Sequence, residues 1–260
     1  MVDLLLGIPV KTVTQLTIES LHSAISFKRI ASSLNVSVFV KLYTEAENFS
    51  SLKKLFNHSE TKVDLVCCPA RGIYPAFNRI YADSICGLFK YVMILGDDDS
   101  IAFPLNLVYL INRLQKLNSI DFACTSILIG DSIFSSRKRK SYYSLIFNID
   151  KMRLNHPGML VATKFIKDNN LFFSEYFGTV GDYDWVLRAF KLKPNVINIH
   201  ELTVFHRLGG ASSLNTKCTV KDHLYCIRSI KNNFSQFYLI ALILRSSRFA
   251  LRAFIRLTIK

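Results

Sequence analysis

Acidic residues are scarce in this 260-residue chain: 19 Asp and Glu stand against 33 Lys and Arg, a formal charge of +14. Such an imbalance points to an anionic partner, whether phosphate groups, nucleic acid or a membrane surface. Glycine and proline are few, ten and six, which excludes collagen-like and low-complexity chains. The six cysteines form no C-x-x-C pair and no zinc-finger spacing with histidine, so all six are expected as reduced thiols. No uncharged apolar run approaches the roughly 18 residues of a membrane span. The opening MVDLLLGIPV lacks the basic start and the length of a signal peptide, so a cytoplasmic protein is expected. Half the chain is apolar and 12% is aromatic. That composition excludes a mostly disordered chain and supplies a core without a disulfide or structural metal.

The apolar pattern alternates between short runs and helical spacings. Val2–Pro9, Val36–Leu42, Lys62–Cys68, Lys90–Leu95 and Asp121–Ile129 read as strands. Thr14–Ile30, Ser50–Phe56, Pro75–Cys86 and Leu105–Leu117 read as the helices between them, the third entered through Pro75. The expected fold class is therefore α/β, a Rossmann-like, mostly parallel sheet flanked by helices on both faces. Ligands of such sheets bind beyond the carboxyl ends of the strands. Past residue 130, Ser135–Lys140 (SSRKRK) reads as a basic loop, His156–Thr163 as a strand and Gly181–Lys191 as a helix. Asn195–Phe205 reads as one or two short strands before the turn Gly209-Gly210.

Two carboxylate clusters could carry chemistry. Asp97, Asp98 and Asp99 follow an apolar strand. Three adjacent carboxylates repel one another, and oxygen donors suit Mg²⁺ or Mn²⁺, which bind one or two carboxylates plus substrate phosphates. The plainer alternative is a solvated turn before the next helix. In Gly181-Asp182-Tyr183-Asp184-Trp185, with Arg188 one turn on, Asp184 and Arg188 can pair on one helix face. Asp182 stands at the helix N-terminus, either as an ordinary cap or as a carboxylate that takes a proton from a hydroxyl. Arg71–Asn78, His156-Pro157-Gly158 and His206–Ser212 are further polar stretches, each also readable as a turn.

In type, order and spacing these clusters resemble glycosyltransferase family 2, inverting enzymes of the GT-A fold. The matching segments are Arg71–Asn78, Tyr91–Asp99, His156, Asp182–Arg188 and Gly209–Ser212. They cover about residues 1–215, and the likeness is greatest to members that build bacterial surface polysaccharides. Residues 216–260 then form a second segment of basic amphipathic helices. Several positions depart from the family pattern. Pro69-Ala70 precede Arg71 where an acidic residue is usual, Gly181 replaces a Glu, Pro157 replaces a Gln, and Glu45 or Glu47 alone offers acid after the second strand. The Q-x-x-R-W motif of processive synthases is absent, which implies one sugar per encounter.

The resemblance implies a nucleotide-diphosphate sugar as donor. Pro9, Arg71, Asn78, Asp97 and Asp98 would bind it, with Asp98 and Asp99 holding Mg²⁺ or Mn²⁺ on the diphosphate. Asp182 would be the general base. His156, Asp184, Arg188, Arg207 and Ser212 would line the acceptor side or the phosphates. The implied acceptor is a lipid-linked saccharide. A nucleotidyltransferase-like enzyme would share the sheet and the carboxylates, and a degenerate glycosyltransferase would keep only the scaffold. A nucleic-acid-binding module explains the charge, but no such motif is present, so no nucleic-acid partner is expected. Arg245, Arg248, Arg252 and Arg256 would form one stripe on a helix amid Leu, Ile and Phe. That pattern suits a helix lying on the anionic inner face of the plasma membrane.

Overall fold

The computed structural model describes residues 3–56, 63–68, 72–117, 119–141, 152, 154–208 and 220–247. Arg71, Ser212, the turn Gly209-Gly210 and the arginines beyond residue 247 lie outside them.

Four strands run parallel in the order β3-β2-β1-β4. They are β1 (Leu4–Val10), β2 (Val38–Thr44), β3 (Asp64–Cys67) and β4 (Tyr91–Ile94). Leu4 pairs with Val38 on one side and with Tyr91 on the other. Leu4, Leu5 and Leu6 are all fully buried, which is why β1 reads as an unbroken apolar run: both of its faces are covered. Successive side chains point to opposite faces. Leu5, Val92 and Ile94 join one core, and Leu4, Leu6, Tyr91 and Met93 join the other.

The second core lies under α1 (Gln15–Ser33) and α4 (Pro104–Lys116), through residues such as Phe27 and Ile111. The first lies under α3 (Ile73–Cys86), α5 (Thr163–Asp168), α6 (Gly181–Lys191) and α7 (Val220–Asn233), through Phe77, Ile166, Trp185 and Ile230. The helix α2 (Ala46–Phe56) adds Leu52 to the second core. The chain is thus a three-layer α/β fold with a mostly parallel sheet. Ala241, on the helix over residues 238–247, is also fully buried in the first core.

Beyond β4 the sheet continues as β8-β6-β9-β5. These are β5 (Ser100–Ile101), β6 (Phe122–Gly130), β8 (Met159–Ala162) and β9 (Val196–Arg207). β8 runs antiparallel to both β4 and β6, and β9 runs parallel to β6. Several expectations change here. His156–Gly158 is a single 3₁₀ turn that precedes β8 rather than part of it. Arg137–Arg139, expected in a loop, forms β7, paired antiparallel with β6. A strand does not need an apolar face when its backbone groups find an open sheet edge. Residues 196–207 form one long strand. α3 starts at Ile73, two residues before Pro75, after Gly72 takes a φ of 114° that favours glycine.

Candidate active site

The carboxylate triplet follows β4 at the carboxyl end of the sheet. Leu95 N–H still donates to Gly7 O of β1 at 3.0 Å, and Ser20 Oγ of α1 donates to Gly96 O at 3.1 Å. These contacts fix the chain where it leaves the sheet. The turn closes with Asp99 N–H donating to Gly96 O at 3.2 Å. Asp97 and Asp98 stay partly exposed, whereas Asp99 is buried at 2% exposure. The solvated-turn alternative therefore fails at Asp99. Its Oδ1 takes the Nδ1 of His206 at 2.8 Å and the backbone N–H of Arg207 at 3.2 Å, both from the end of β9. A carboxylate can only accept, so Nδ1 of His206 carries the proton.

Burial and mutual repulsion show in the titration of the triplet. Burial first, then the charge of Asp98, pushes Asp97 up to about 6. Asp98 is also raised, by burial and then by Asp99, and is partly relieved by His206 and Arg207. Burial, the largest influence on His206, pulls its pKa down, but the hydrogen bond and charge of Asp99 with the charge of Asp98 outweigh it, so it is raised overall.

Gly96 leaves a small space open beside two of the carboxylates. A Cβ there would lie 2.8 Å from Asp99 Oδ2 and 3.0 Å from Asp98 Oδ1. The two carboxylates expected to hold metal therefore aim oxygens at one small space, which glycine leaves open. Among the described residues no three His, Cys, Asp or Glu side chains form a closed metal cage. Two carboxylate oxygens in an open position nevertheless fit a Mg²⁺ or Mn²⁺ ion that completes its shell with water and phosphate.

Asp182 stands at the start of α6, facing the start of α3. Its backbone N–H donates to the Tyr74 hydroxyl at 3.1 Å, and that hydroxyl donates to Thr179 O at 3.1 Å. Tyr183 N–H donates to Asp182 Oδ1 at 2.7 Å. Burial raises the Asp182 carboxyl above its ordinary value, and the backbone N–H groups of Tyr183 and of Asp182 itself counter only part of this. The departure at Gly181 has a local cause: a Cβ there would lie 2.7 Å from the Tyr74 ring, so a Glu would collide with it.

The remaining expected residues have varied surroundings. Pro9 lies at the end of β1, in register with Tyr43. Asn78 clamps the backbone of Phe173: Nδ2 donates to its carbonyl at 2.9 Å and Oδ1 accepts its N–H at 2.7 Å. Asp184 and Arg188 pair as expected, at 2.8 Å, but the carboxylate is 2% exposed. Its other oxygen accepts Ser229 Oγ of α7 at 2.6 Å, and Arg188 Nη2 donates to Phe172 O at 2.6 Å. This pair bolts α6 to α7. His156 stacks on Phe77 with ring centroids 5.2 Å apart and planes 11° apart. Burial lowers its pKa to about 4, with Asp99 pulling the other way, so the ring is neutral near pH 7. Arg207 Nη2 pairs with Glu19 Oε2 at 2.9 Å, while its buried Nε has no hydrogen-bond partner among the described residues. Tyr74, His206 and Glu19 are absent from the sequence-derived residue set. Tyr74 sits inside the Gly-Ile-Tyr segment and His206 beside Arg207, so motif position was the available signal for both.

No protein-family model and no curated protein matches the sequence. Solved structures do match in shape. Residues 1–349 of S. aureus TarS superpose with a TM-score of 0.61 at 14% identity, covering 95% of this chain and 71% of that one. The same TarS segment in complex with UDP-GlcNAc gives 0.62 at 14%, covering 89% and 67%. The mannosyltransferase PcManGT from Pyrobaculum calidifontis, in complex with GDP-Man and Mn²⁺, gives 0.60 at 11%, covering 96% and 75%. The fold is thus an α/β fold shared with TarS and with the mannosyltransferase PcManGT.

Proposed function

We propose that this chain is an inverting, metal-dependent glycosyltransferase resembling family 2. It would move one sugar from a nucleotide-diphosphate sugar to a hydroxyl of a lipid-linked saccharide during bacterial surface-polysaccharide synthesis. The observation that carries the reading is the convergence of Asp98 Oδ1 and Asp99 Oδ2 over Gly96, in a fold shared with proteins solved in complex with UDP-GlcNAc and with GDP-Man and Mn²⁺.

Asp98 and Asp99 would hold a Mg²⁺ or Mn²⁺ ion. When bound, that ion acts as a Lewis acid and neutralises charge on the departing diphosphate. His206 keeps Asp99 fixed by its 2.8 Å contact. Asp182 takes the proton of the acceptor hydroxyl as that oxygen bonds to the anomeric carbon from the face opposite the diphosphate. The bond from the anomeric carbon to the phosphate oxygen breaks, and the nucleoside diphosphate leaves with the electron pair. The raised pKa of Asp182 makes it a stronger base than an ordinary carboxylate. Pro9 and Asp97 border the donor, and Arg207, beside Asp99, offers positive charge to the phosphates. His156 offers a neutral ring on the acceptor side.

A lipid-linked acceptor requires work at the inner face of the plasma membrane, where the +14 charge favours anionic lipid. No helix among the described residues is long and apolar enough to cross a membrane, so the association would be peripheral. The test is incubation with Mn²⁺ and a panel of UDP- and GDP-sugars. Release of nucleoside diphosphate from one donor supports the reading, and no release from any of them, with or without a lipid-extract acceptor, contradicts it.

A further inference from the structure

The turn between β6 and β7 carries the most exposed large apolar side chain among those described. Phe134 has 102% relative exposure, and Ile133 beside it 50%. Neither belongs to either core, so Phe134 contributes nothing to folding by burial. The turn is nonetheless built to one shape. Ser132 and Ser135 share a hydroxyl contact at 2.9 Å, and Ser136 Oγ donates to Ile133 O at 2.6 Å. At its base Leu208 N–H donates to Gly130 O at 3.0 Å.

Charge surrounds this apolar tip on one strand. Residues 131–140 hold Arg137, Lys138, Arg139 and Lys140 against the single carboxylate of Asp131. Arg137, Lys138 and Lys140 are exposed, and the pairing of Ile129 with Arg137 and Leu128 with Lys138 fixes their distance from the tip. A fully exposed aromatic beside a row of cations is complementary to a surface that is apolar below and anionic above.

The position matters as well. Gly130, where the hairpin leaves the sheet, pairs with Arg207, whose N–H holds Asp99. The helix over residues 238–247 also exposes Leu239, Ile240, Ile243 and Leu244. Its Arg245 lies over the Tyr183 ring at 4.4 Å, next to Asp182. The hairpin thus springs from the strand paired with the one that holds Asp99, and the apolar helix is tied to the residue after Asp182.

We propose that the β6–β7 hairpin is a membrane-contacting wedge. Ile133 and Phe134 enter the headgroup region of an anionic leaflet, and Arg137, Lys138 and Lys140 meet the lipid phosphates. The occupant is an anionic lipid surface. The inference rests on the membrane side of the functional reading and not on the transfer reaction, so its test needs no donor or acceptor.

The full chain has one tryptophan, Trp185, which is fully buried and gives a constant background. Phe134→Trp therefore reports on the hairpin alone. With phosphatidylcholine vesicles containing phosphatidylglycerol, its emission is expected to shift to the blue and to be quenched by bromine-labelled acyl chains. With phosphatidylcholine alone, it is expected to stay that of an exposed indole. The double variant Ile133→Ser/Phe134→Ser is expected to keep the wild-type melting temperature and to lose about tenfold or more in partitioning onto anionic vesicles. Protein that floats with anionic vesicles while the indole at 134 stays in water overturns the wedge and leaves another anchor. Wild-type protein that binds neither kind of vesicle overturns the wedge and the membrane reading together, while nucleoside diphosphate release in the absence of lipid would still stand.

Discussion

The hydroxyl of Tyr74 stands 3.1 Å from the backbone nitrogen of Asp182, across the gap between two helix starts 108 residues apart in sequence. That hydroxyl holds the first turn of α6: it accepts the Asp182 N–H and gives its one proton to Thr179 O. Tyr74→Phe removes both bonds and loosens the turn that carries Asp182. Turnover is expected to fall about tenfold, the scale of one hydrogen bond. The acid limb of the pH–rate profile is expected to stay in place, because the hydroxyl has no second proton to give the carboxylate. A pH–rate profile of the variant against wild type checks this; an acid limb shifted to higher pH would show that the hydroxyl donates to the carboxylate instead.

Asp98 and Asp99 are neighbours with different surroundings, so their Asn variants are expected to differ. Asp99 is buried against His206 and the Arg207 N–H. Asp99→Asn is expected to lower stability by about 1.5–3 kcal/mol, the range for hydrogen bonds to charged groups, as well as to reduce activity. Asp98 is partly exposed, and Asp98→Asn is expected to leave the melting temperature unchanged while weakening Mn²⁺ binding. Calorimetry and a Mn²⁺ titration of both variants make the comparison.

The Asp184–Arg188 pair belongs to the architecture. Asp184→Ala leaves Arg188 without its counter-charge and Ser229 without its acceptor. Breaking a buried pair from one side costs about 3–5 kcal/mol, with the lower end expected here because Arg188 is 28% exposed. Ser229→Ala is expected to cost about 1 kcal/mol. Urea denaturation of the two variants tests the order.

His156 should make stability pH-dependent. Its folded pKa is lowered to about 4 from an ordinary 6.5. Between those values the unfolded chain binds the proton and the folded one does not, so stability falls as pH drops from about 6.5 through about 4. His156→Phe preserves a ring against Phe77 and removes the titrating group. The variant is expected to lose less stability than wild type between pH 7 and pH 5 in denaturant titrations, and an equal loss would assign the slope to other groups.

Much of this arrangement is legible in the sequence, because local pattern sets it. The helix expected over Gly181–Lys191 has those limits in the fold, since its apolar spacing, acidic start and basic end agree. The strand before the Asp triplet is fixed by burial on both faces. What sequence could not supply depends on distant partners. β8 lies between β4 and β6 and runs antiparallel to both, which no local spacing encodes. Arg137–Arg139 is a strand only because β6 offers it an edge. Asp99 differs from Asp98 because His206, 107 residues away, reaches it.

The most direct measurement is nucleoside diphosphate release by the wild type and by Asp182→Asn, with donor binding followed in parallel by calorimetry in Mn²⁺. Wild type is expected to release diphosphate in a Mn²⁺-dependent way. The variant is expected to bind donor with unchanged affinity and to turn over about 10²–10⁴ more slowly, the usual size of a general-base effect. A variant that loses donor binding yet keeps its turnover would contradict the assignment of Asp182 as the base, and a wild type that binds no nucleotide sugar would contradict glycosyl transfer itself.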